Sequence, residues 1–282
     1  MMGSIKKRTL RNSIAGYAVL AVLAAFFLFP LLWILSNSLK TYENIFAYPP
    51  KLFPQPLQFS NYLEALTYNS LPFGRFLLNS TIITVVSVFG VVFSSALVAF
   101  AFSRLRWRGR NALFLVIVLT MIIPTEVVIT PQFIIYNKLG LLDTWIPLIL
   151  PWFFGKAFYI FMIRQSMMGI PMAMDESAKI DGASTLQVFW HIILPQSKLS
   201  LIAVAILALQ DQWNNYLEPL IFVNSLEKQT ISVGLSYFSG MYQTPWHYVF
   251  AAAVIVALPI LILFAFLQQY FIQGVVVSGV KG

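Results

Sequence analysis

No cysteine occurs in the 282 residues, which excludes a disulfide framework and any thiolate metal centre and leaves the redox compartment unread. Charge is scarce as well: Asp, Glu, Lys and Arg together make 10% of the chain, against 59% hydrophobic residues. With a mean hydropathy of +0.79, this composition excludes an ordinary soluble domain and describes a polytopic membrane protein. Histidine occurs twice, as His191 and His247, and the spans assigned below put the two on opposite sides of the membrane, so they cannot share a metal. A phosphate-cradling Walker A loop is missing. Its nearest approach, Gly155-Lys156, is followed by Ala157 and has no glycine five positions earlier, so no ATP hydrolysis is expected of this chain. Neither repeats nor low-complexity tracts occur, and no group of His, Asp and Glu has the spacing of a catalytic site.

What the chain has is long apolar runs. Ile14 to about Leu35 supplies some 22 apolar residues, enough for a hydrocarbon core of about 30 Å. The basic stretch before it resembles a signal peptide, but the apolar run is too long and lacks a small-residue cleavage site. Further spans are expected at about Phe76–Phe102, from Asn111 towards Pro124 and Pro131, at Trp145–Ile163, Leu199–Phe222 and Tyr248–Phe271. The fold class is therefore an all-α membrane protein of six transmembrane helices, one transmembrane domain over 1–282, with external loops at 37–75, 124–144 and 223–247 and a cytoplasmic loop at 165–198. In the first external loop Ser60–Leu66 reads as a short capped helix. Pro124 and Pro131 should kink or end the third span, and Pro147, Pro151 and Gly155 should make the fourth irregular, which at membrane depth requires protein or water around it.

Placement of the positive charges sets the orientation. The net charge is +8. Lys6, Lys7, Arg8 and Arg11 precede the first span, Arg104, Arg106, Arg108 and Arg110 follow the second, Arg164, Lys179 and Lys198 flank the 165–198 loop, and Lys281 closes the chain. Lys40, Lys51, Arg75, Lys138 and Lys228 fall on the alternate loops. The excess puts both termini and the 165–198 loop in the cytoplasm. At such positions lipid phosphates, not nucleic acid, are the expected partners of the arginines.

Polar residues inside the spans are few. Ser80, Thr84, Ser87, Val91 and Ser94 recur every three or four residues as a stripe suited to close helix packing. Asp211, Asn214, Asn215 and Glu218 stand at i, i+3, i+4 and i+7 of the fifth span, a polar face that must avoid lipid and so lines a cavity or meets another subunit. Lys156 in the fourth span has the opposite sign and a comparable depth, so an ion pair with Asp211 is an expected partner, local snorkelling being the alternative.

Pro171–Pro195, PMAMDESAKIDGASTLQVFWHIILP, is neither apolar enough to span a bilayer nor loose enough for a linker. Its pattern predicts two short helices about a hinge. Pro171 opens the first, in which Asp175 and Lys179 face each other four residues apart, and Gly182 ends it. Ser184 and Gln187 form a capping box for the second, with Leu186, Phe189, Trp190 and Ile193 on one face and Pro195 as its stop.

The same stretch resembles the EAA signature of ABC-importer permeases: Glu176-Ser177-Ala178, three residues, Gly182, nine residues, Ile192, one residue, Leu194-Pro195, with Ser177 where the family commonly has Ala. Asp181-Gly182-Ala183-Ser184 fits its central core. Leu71–Ser80, the six-span layout and the terminal Ser278-Gly279-Val280-Lys281-Gly282 are similar to the carbohydrate-type, maltose-transporter-like branch. The resemblance implies an ATPase-coupling loop of Glu176, Ser177, Ala178, Asp181, Gly182, Ala183, Ser184, Phe189, Ile192, Leu194 and Pro195, whose helices sit in a groove of a cytoplasmic ATP-binding subunit while Phe189 and Trp190 tie the elbow to the spans. It further implies a second homologous permease, two ATP-binding cassette subunits, an external solute-binding protein and residence in a bacterial inner membrane. ATP and Mg would be used by the partner subunits, with no cofactor on this chain. The expected function is import of a sugar, oligosaccharide or polyol-like solute. Alternatives are an importer for phosphate, polyamine or amino acid, or an ion-coupled carrier with Glu126, Lys156, Asp211 and Glu218 as its relay, for which the inverted repeats common in carriers are not seen.

Overall fold

A computed structural model describes residues 2–68, 71–238 and 244–276, with side chains described for 16–68, 71–238 and 244–267. The terminal Ser278–Gly282 run lies outside the described residues, as does Lys281. All regular structure among the described residues is helical. In chain order the helices are α1 (Met2–Ser38), α2 (Tyr42–Ile45), α3 (Ser60–Thr67), α4 (Phe73–Arg104), α5 (Arg110–Leu119), α6 (Thr125–Lys138), α7 (Ile146–Ile149), α8 (Ala157–Met168), α9 (Met172–Ile180), α10 (Thr185–Val188), α11 (Leu194–Gln196), α12 (Lys198–Trp213), α13 (Leu217–Phe222), α14 (Ile231–Ser236) and α15 (Trp246–Val276).

Gly16–Ser38, Phe73–Arg104, Ile146–Met168 and Trp246–Leu267 are each long and apolar enough to cross a membrane. Two bent pairs, Arg110–Ile122 with Thr125–Lys138 at 98° and Thr185–Gln196 with Lys198–Trp213 at 76°, bring the number to six if each counts as one span. None of the most apolar window of the first span is buried within the chain. A helix makes its backbone hydrogen bonds internally, so an apolar helix exposed along its length suits a lipid environment.

The described residues divide into two compact units, 1–71 with 235–257 and 72–234 with 258–282. In the first, buried Asn61 on α3 donates from Nδ2 to the carbonyls of Ser38 (2.9 Å) and Lys40 (2.8 Å), which stitches α3 to the end of α1. Tyr62 Oη and Ser38 Oγ lie 2.7 Å apart, and Tyr248 of α15 hydrogen-bonds Glu64. The cap expected at Ser60 is not formed: Ser60 is already helical, Phe59 occupies the cap position, and no side chain caps the helix.

The second unit is organised on α4. Its serine stripe faces inward: Ser80, Thr84, Ser87 and Val91 are buried, with Ser94 half-buried. The fourth span is irregular where its prolines predicted, α7 giving way to a 3-10 turn at Leu150–Phe154 and a left-handed Gly155 (φ +76°) before α8 begins. Buried Gln212 of α12 donates to the Leu148 carbonyl (3.0 Å) and to Ser87 Oγ (3.2 Å), so protein side chains satisfy that broken backbone.

Three further expectations are corrected. The third span breaks at Pro124 as predicted, but Pro131 sits inside α6 without ending it, and residues 125–138, assigned to an external loop, are helical. The fifth span is not one helix from Leu199 to Phe222. It stops at Trp213 and resumes as α13 at Leu217. Pro219 lacks the N–H that the Asn215 carbonyl would need, and the Asn214 side chain donates back to the Gln210 carbonyl at 2.9 Å, competing with the helix. Finally, Pro195 does not stop the second loop helix. It lies in the first turn of α11, where its missing N–H is tolerated, and the chain bends at Ser197 instead.

Outside the spans, Asp143 (φ +58°) fixes the connection after α6. Its carboxylate accepts from Ser225 Oγ, from the Ser225 N–H (2.7 Å) and Asn224 N–H (3.0 Å), and from Lys228 Nζ (3.1 Å). The Ser225 hydroxyl and then the Ser225 N–H, ahead of Lys228 and Asn224, hold the carboxyl well below the usual carboxylate range. A depressed value means the contribution is complete above the ordinary carboxylate range and is lost only as pH falls through the folded-state value. Asp143→Asn is therefore expected to lower the melting temperature of the detergent-purified protein at pH 7 and at pH 5 alike, the difference closing only in strong acid.

Candidate functional site

Two groups of residues in the second unit carry the candidate chemistry. The first is the loop 171–196. Helix α9 ends in a Schellman turn: the Ala183 N–H bonds the Ala178 carbonyl at 2.9 Å and the Gly182 N–H bonds that of Lys179 at 3.1 Å, with Gly182 left-handed at φ +83°. Nothing lies within 4 Å of where a Gly182 Cβ would stand, so the turn requires glycine for its backbone angle and not for space. Ser184 then caps α10, its Oγ accepting from the Gln187 N–H (3.3 Å) while Gln187 Oε1 accepts from the Ser184 N–H (2.7 Å). This is the capping box read from the sequence.

Beyond α10 the chain widens into a π-helical turn, Phe189–Ile193. The extra residue in that turn rotates the side chains, and the four-residue apolar face expected of Leu186, Phe189, Trp190 and Ile193 is divided: Phe189 and Ile193 are fully buried, whereas Leu186 is 64% and Trp190 44% exposed. Phe189 packs on Phe100 of α4, ring centroids 5.1 Å apart, within a core that includes Val91, Ala96, Tyr159, Ile163 and Met167. Ala178, Ala183, Ile192 and Leu194 border the same core. Trp190 rests against Phe93 at 6.1 Å.

Glu176, Ser177, Asp181, Gly182, Ser184 and Pro195 are exposed. The Ser177 hydroxyl turns back to the Ala173 carbonyl at 2.8 Å, so serine at this position is accommodated by its own helix. Asp181, Gly182, Ala183, Gln187, His191 and Ile192 border a shallow recess on the open side of the elbow. Ile180, at the tip of α9, is 85% exposed.

Asp175 does not pair with Lys179 as its spacing suggested. Asp175 is 4% exposed and faces Arg104, at the end of α4, with Oδ1 3.7 Å from Nη1. By its place in the sequence Arg104 groups with the arginines expected at lipid phosphates. Instead it is 7% exposed, and its Nη2 donates to the carbonyls of Met167 (2.6 Å) and Ile170 (2.9 Å). Sequence reasoning missed this residue, and the one available signal was its place directly after the apolar run, before the Trp107-Arg108-Gly109 turn.

The second group lies at the start of α8. Lys156 Nζ is 2.9 Å from Asp211 Oδ2 and 3.5 Å from the centroid of a Trp152 ring, and Tyr159 Oη donates to the same Asp211 oxygen at 3.3 Å. The ion pair expected from the sequence is formed. Because the helix breaks after Trp213, the stripe is not one helical face: Asn215 and Glu218 form their own contact, Nδ2 to Oε2 at 2.6 Å, across the break. Asn214 is exposed and bonds only its own helix among the described contacts. Buried Gln212, which no sequence pattern singled out, ties the group to α4.

Residues 87–277 match the model of the family described as "Binding-protein-dependent transport system inner membrane component". The chain belongs to that family. As a member of it, the chain is an inner-membrane component of a transport system, with the elbow and the Lys156 cluster both inside the matched region. Similar proteins include an arabinooligosaccharides transport system permease protein of Bacillus subtilis, 32% identical over 263 residues and covering 93% of each chain. An sn-glycerol-3-phosphate transport system permease protein of Pectobacterium atrosepticum is 33% identical over 242 residues, 84% of this chain and 86% of that one. Among solved structures, a bacterial ABC transporter involved in import of the acidic polysaccharide alginate aligns with a TM-score of 0.81 at 26% identity, over 92% of this chain and 96% of that one.

Removing the cap tests the elbow's local construction. Ser184→Ala should cost about 1 kcal/mol at the α10 terminus and raise amide hydrogen exchange at residues 185–188, leaving the buried π turn protected.

Proposed function

We propose that this chain is the permease subunit of an ATP-driven importer for a sugar or oligosaccharide, and that the elbow between α9 and α10 is where a separate ATP-binding subunit engages it. The observation that carries the docking role is the elbow's construction. Two independently capped helices meet at a left-handed glycine, one seated in the membrane core through Phe189 and Ile193, while Ile180 and Leu186 on either side of the turn project apolar surface outward. Exposed aliphatic side chains beside a rigid, fully hydrogen-bonded turn suit insertion into a groove of a partner. Family membership supports transport, and the relatives' names support a glycan or polyol derivative as cargo.

In this reading six segments cross a bacterial inner membrane, with both termini and the elbow in the cytoplasm. At 16 residues α12 is about 24 Å long, short of a hydrocarbon core of about 30 Å, and α13 beyond the Asn214–Tyr216 break completes the fifth span. A second homologous permease lies alongside, two ATP-binding cassette subunits use ATP and Mg, and a solute-binding protein delivers cargo outside. The family's description as binding-protein-dependent supports that last partner. Lys156, Asp211, Asn214, Asn215 and Glu218 border the translocation path or the interface with the second permease. The Lys156–Asp211 pair, with its side chains 39% and 55% exposed, faces a space that the single chain leaves open. Neutralising each other, the two ions reach membrane depth at lower cost than either alone.

Two outcomes test the docking. In the cysteine-free chain, Lys179→Cys is expected to cross-link to a co-expressed ATP-binding subunit with a yield that changes on adding MgATP and vanadate. Absence of any cross-link would remove the docking role. Gly182→Val puts a β-branched residue at φ +83°, a conformation costing at least about 1–2 kcal/mol for an L-residue, and should reduce that cross-link strongly while the chain still inserts. Cargo is assigned by screening arabino- and malto-oligosaccharides, alginate fragments and glycerol 3-phosphate against the cognate binding protein by calorimetry. Binding of none of the glycans would overturn the sugar reading.

A further inference from the structure

The two halves of the elbow are attached to the membrane core by different means. Helix α10 and the π turn after it are held by a broad apolar contact, with Val188, Phe189 and Ile193 all buried. Among the described residues of α9, by contrast, Asp175 alone is buried. Its neighbours Met172, Met174, Glu176, Lys179 and Ile180 are exposed, and Ala178 is only half-buried. Apart from Ala178, which borders the apolar core, and Met172, whose sulfur meets Arg104, the buried contact of α9 with the spans is made by Asp175, and the group facing it is Arg104.

Arg104 is the last residue of α4, the 32-residue span on which the second unit is built. Its guanidinium occupies the corner where three segments meet. Nη2 takes the carbonyls of Met167 and Ile170, at the end of α8 and in the turn leading to α9, while Nη1 lies 2.9 Å from Met172 Sδ and 3.7 Å from Asp175 Oδ1. Planar, always charged and carrying five donors, an arginine is suited to such a junction. The contact is also incompletely closed. Among the described residues neither Arg104 Nε nor Asp175 Oδ1 has a hydrogen-bond partner although both are buried, so removing either charge would leave the other buried and uncompensated. The two side chains sit within ion-pair range without the geometry of a hydrogen bond.

We infer that Arg104 and Asp175 are the positioning residues that make α9 and α4 move as one body, transmitting displacement of the ATPase-facing half of the elbow to the long span. The inference rests on the docking role proposed above and adds the route by which force leaves the loop. Through the apolar seat of Phe189 the α10 half pushes on the interior of the bundle. Through Arg104, the α9 half pulls on the cytoplasmic end of α4.

The experiment reads rigid-body coupling directly and needs no transported solute. Nitroxides are placed on Ala173→Cys of α9 and Leu78→Cys near the other end of α4, both exposed positions, in the complete complex with cysteine-free partner subunits. Their distance distribution is measured by pulsed EPR with and without MgATP and vanadate. With Asp175 present, one narrow distribution unchanged by nucleotide is expected. In Asp175→Asn it should broaden and shift by about 2 Å or more on nucleotide addition, the scale of helix displacements in such transitions. Asp175→Glu, which keeps the carboxylate, should restore the narrow distribution, and Arg104→Gln should reproduce the Asn variant. An Asp175→Asn complex whose distribution stays narrow and unshifted overturns the inference. So does an Asp175→Asn complex that loses its ATP-binding subunits during purification with Asp175→Glu failing likewise, since the aspartate would then serve folding alone. The Lys179→Cys cross-link is read on parallel complexes that lack the two labelling cysteines. Where it forms and responds to nucleotide while the Asp175→Asn distances stay narrow and unchanged, the inference falls and the docking role stands. Where the parent forms no cross-link, the docking role itself falls.

Discussion

Burial of Phe189 is the contact on which the remainder of the second unit depends. A phenylalanine on a loop between two spans, fully removed from solvent against Phe100 and flanked by Ile163, Met167 and Ile193, contributes on the order of 2–3 kcal/mol by transfer alone. More to the point, it makes the loop between α8 and α12 continuous with the packed interior. Because close-packed interiors deform as units, displacement of the π turn is displacement of α4 and α8. The exposed elbow is thereby the outer end of the core and not an appendage to it.

Around that seat the spans show how broken helices are accommodated. Prolines at 147 and 151 and the left-handed Gly155 free backbone groups that lipid would leave unsatisfied, and Gln212 and Ser87 supply the missing partners from α12 and α4. The small hydroxyl side chains of α4 have two uses here: they permit close approach, and they hydrogen-bond across helices, as Ser94 does to the Trp152 carbonyl at 3.4 Å. Where the fourth and fifth segments interrupt, Lys156 and Asp211 meet. An interruption in a membrane helix therefore coincides with the charges that need somewhere other than lipid to point.

How much of this was legible beforehand divides by distance along the chain. The apolar runs, the irregular fourth span, the glycine elbow and the Ser184–Gln187 box are local, and local chemistry writes itself into residue spacing. The Lys156–Asp211 pair was legible for a different reason, since opposite charges at matched depth have few alternatives. Other features depended on tertiary partners. Asp175 and Lys179 have ideal helical spacing, yet a buried guanidinium from a remote helix outcompetes a surface lysine, an exposed pair of that kind being worth only a few tenths of a kcal/mol. The Leu186–Phe189–Trp190–Ile193 face assumed a regular period that the π turn breaks. The Asn214–Tyr216 interruption was masked because the surrounding residues are apolar enough to read as one continuous span.

One consequence of the elbow's geometry concerns handedness. At Gly182 the space where a side chain would stand is vacant, while the backbone torsion is one that L-amino acids resist. The requirement there is stereochemical and not volumetric. A D-alanine introduced by chemical ligation would fit the turn that L-valine opposes, and the mirror-image residue would stiffen the joint that glycine leaves free to relax in the unfolded chain.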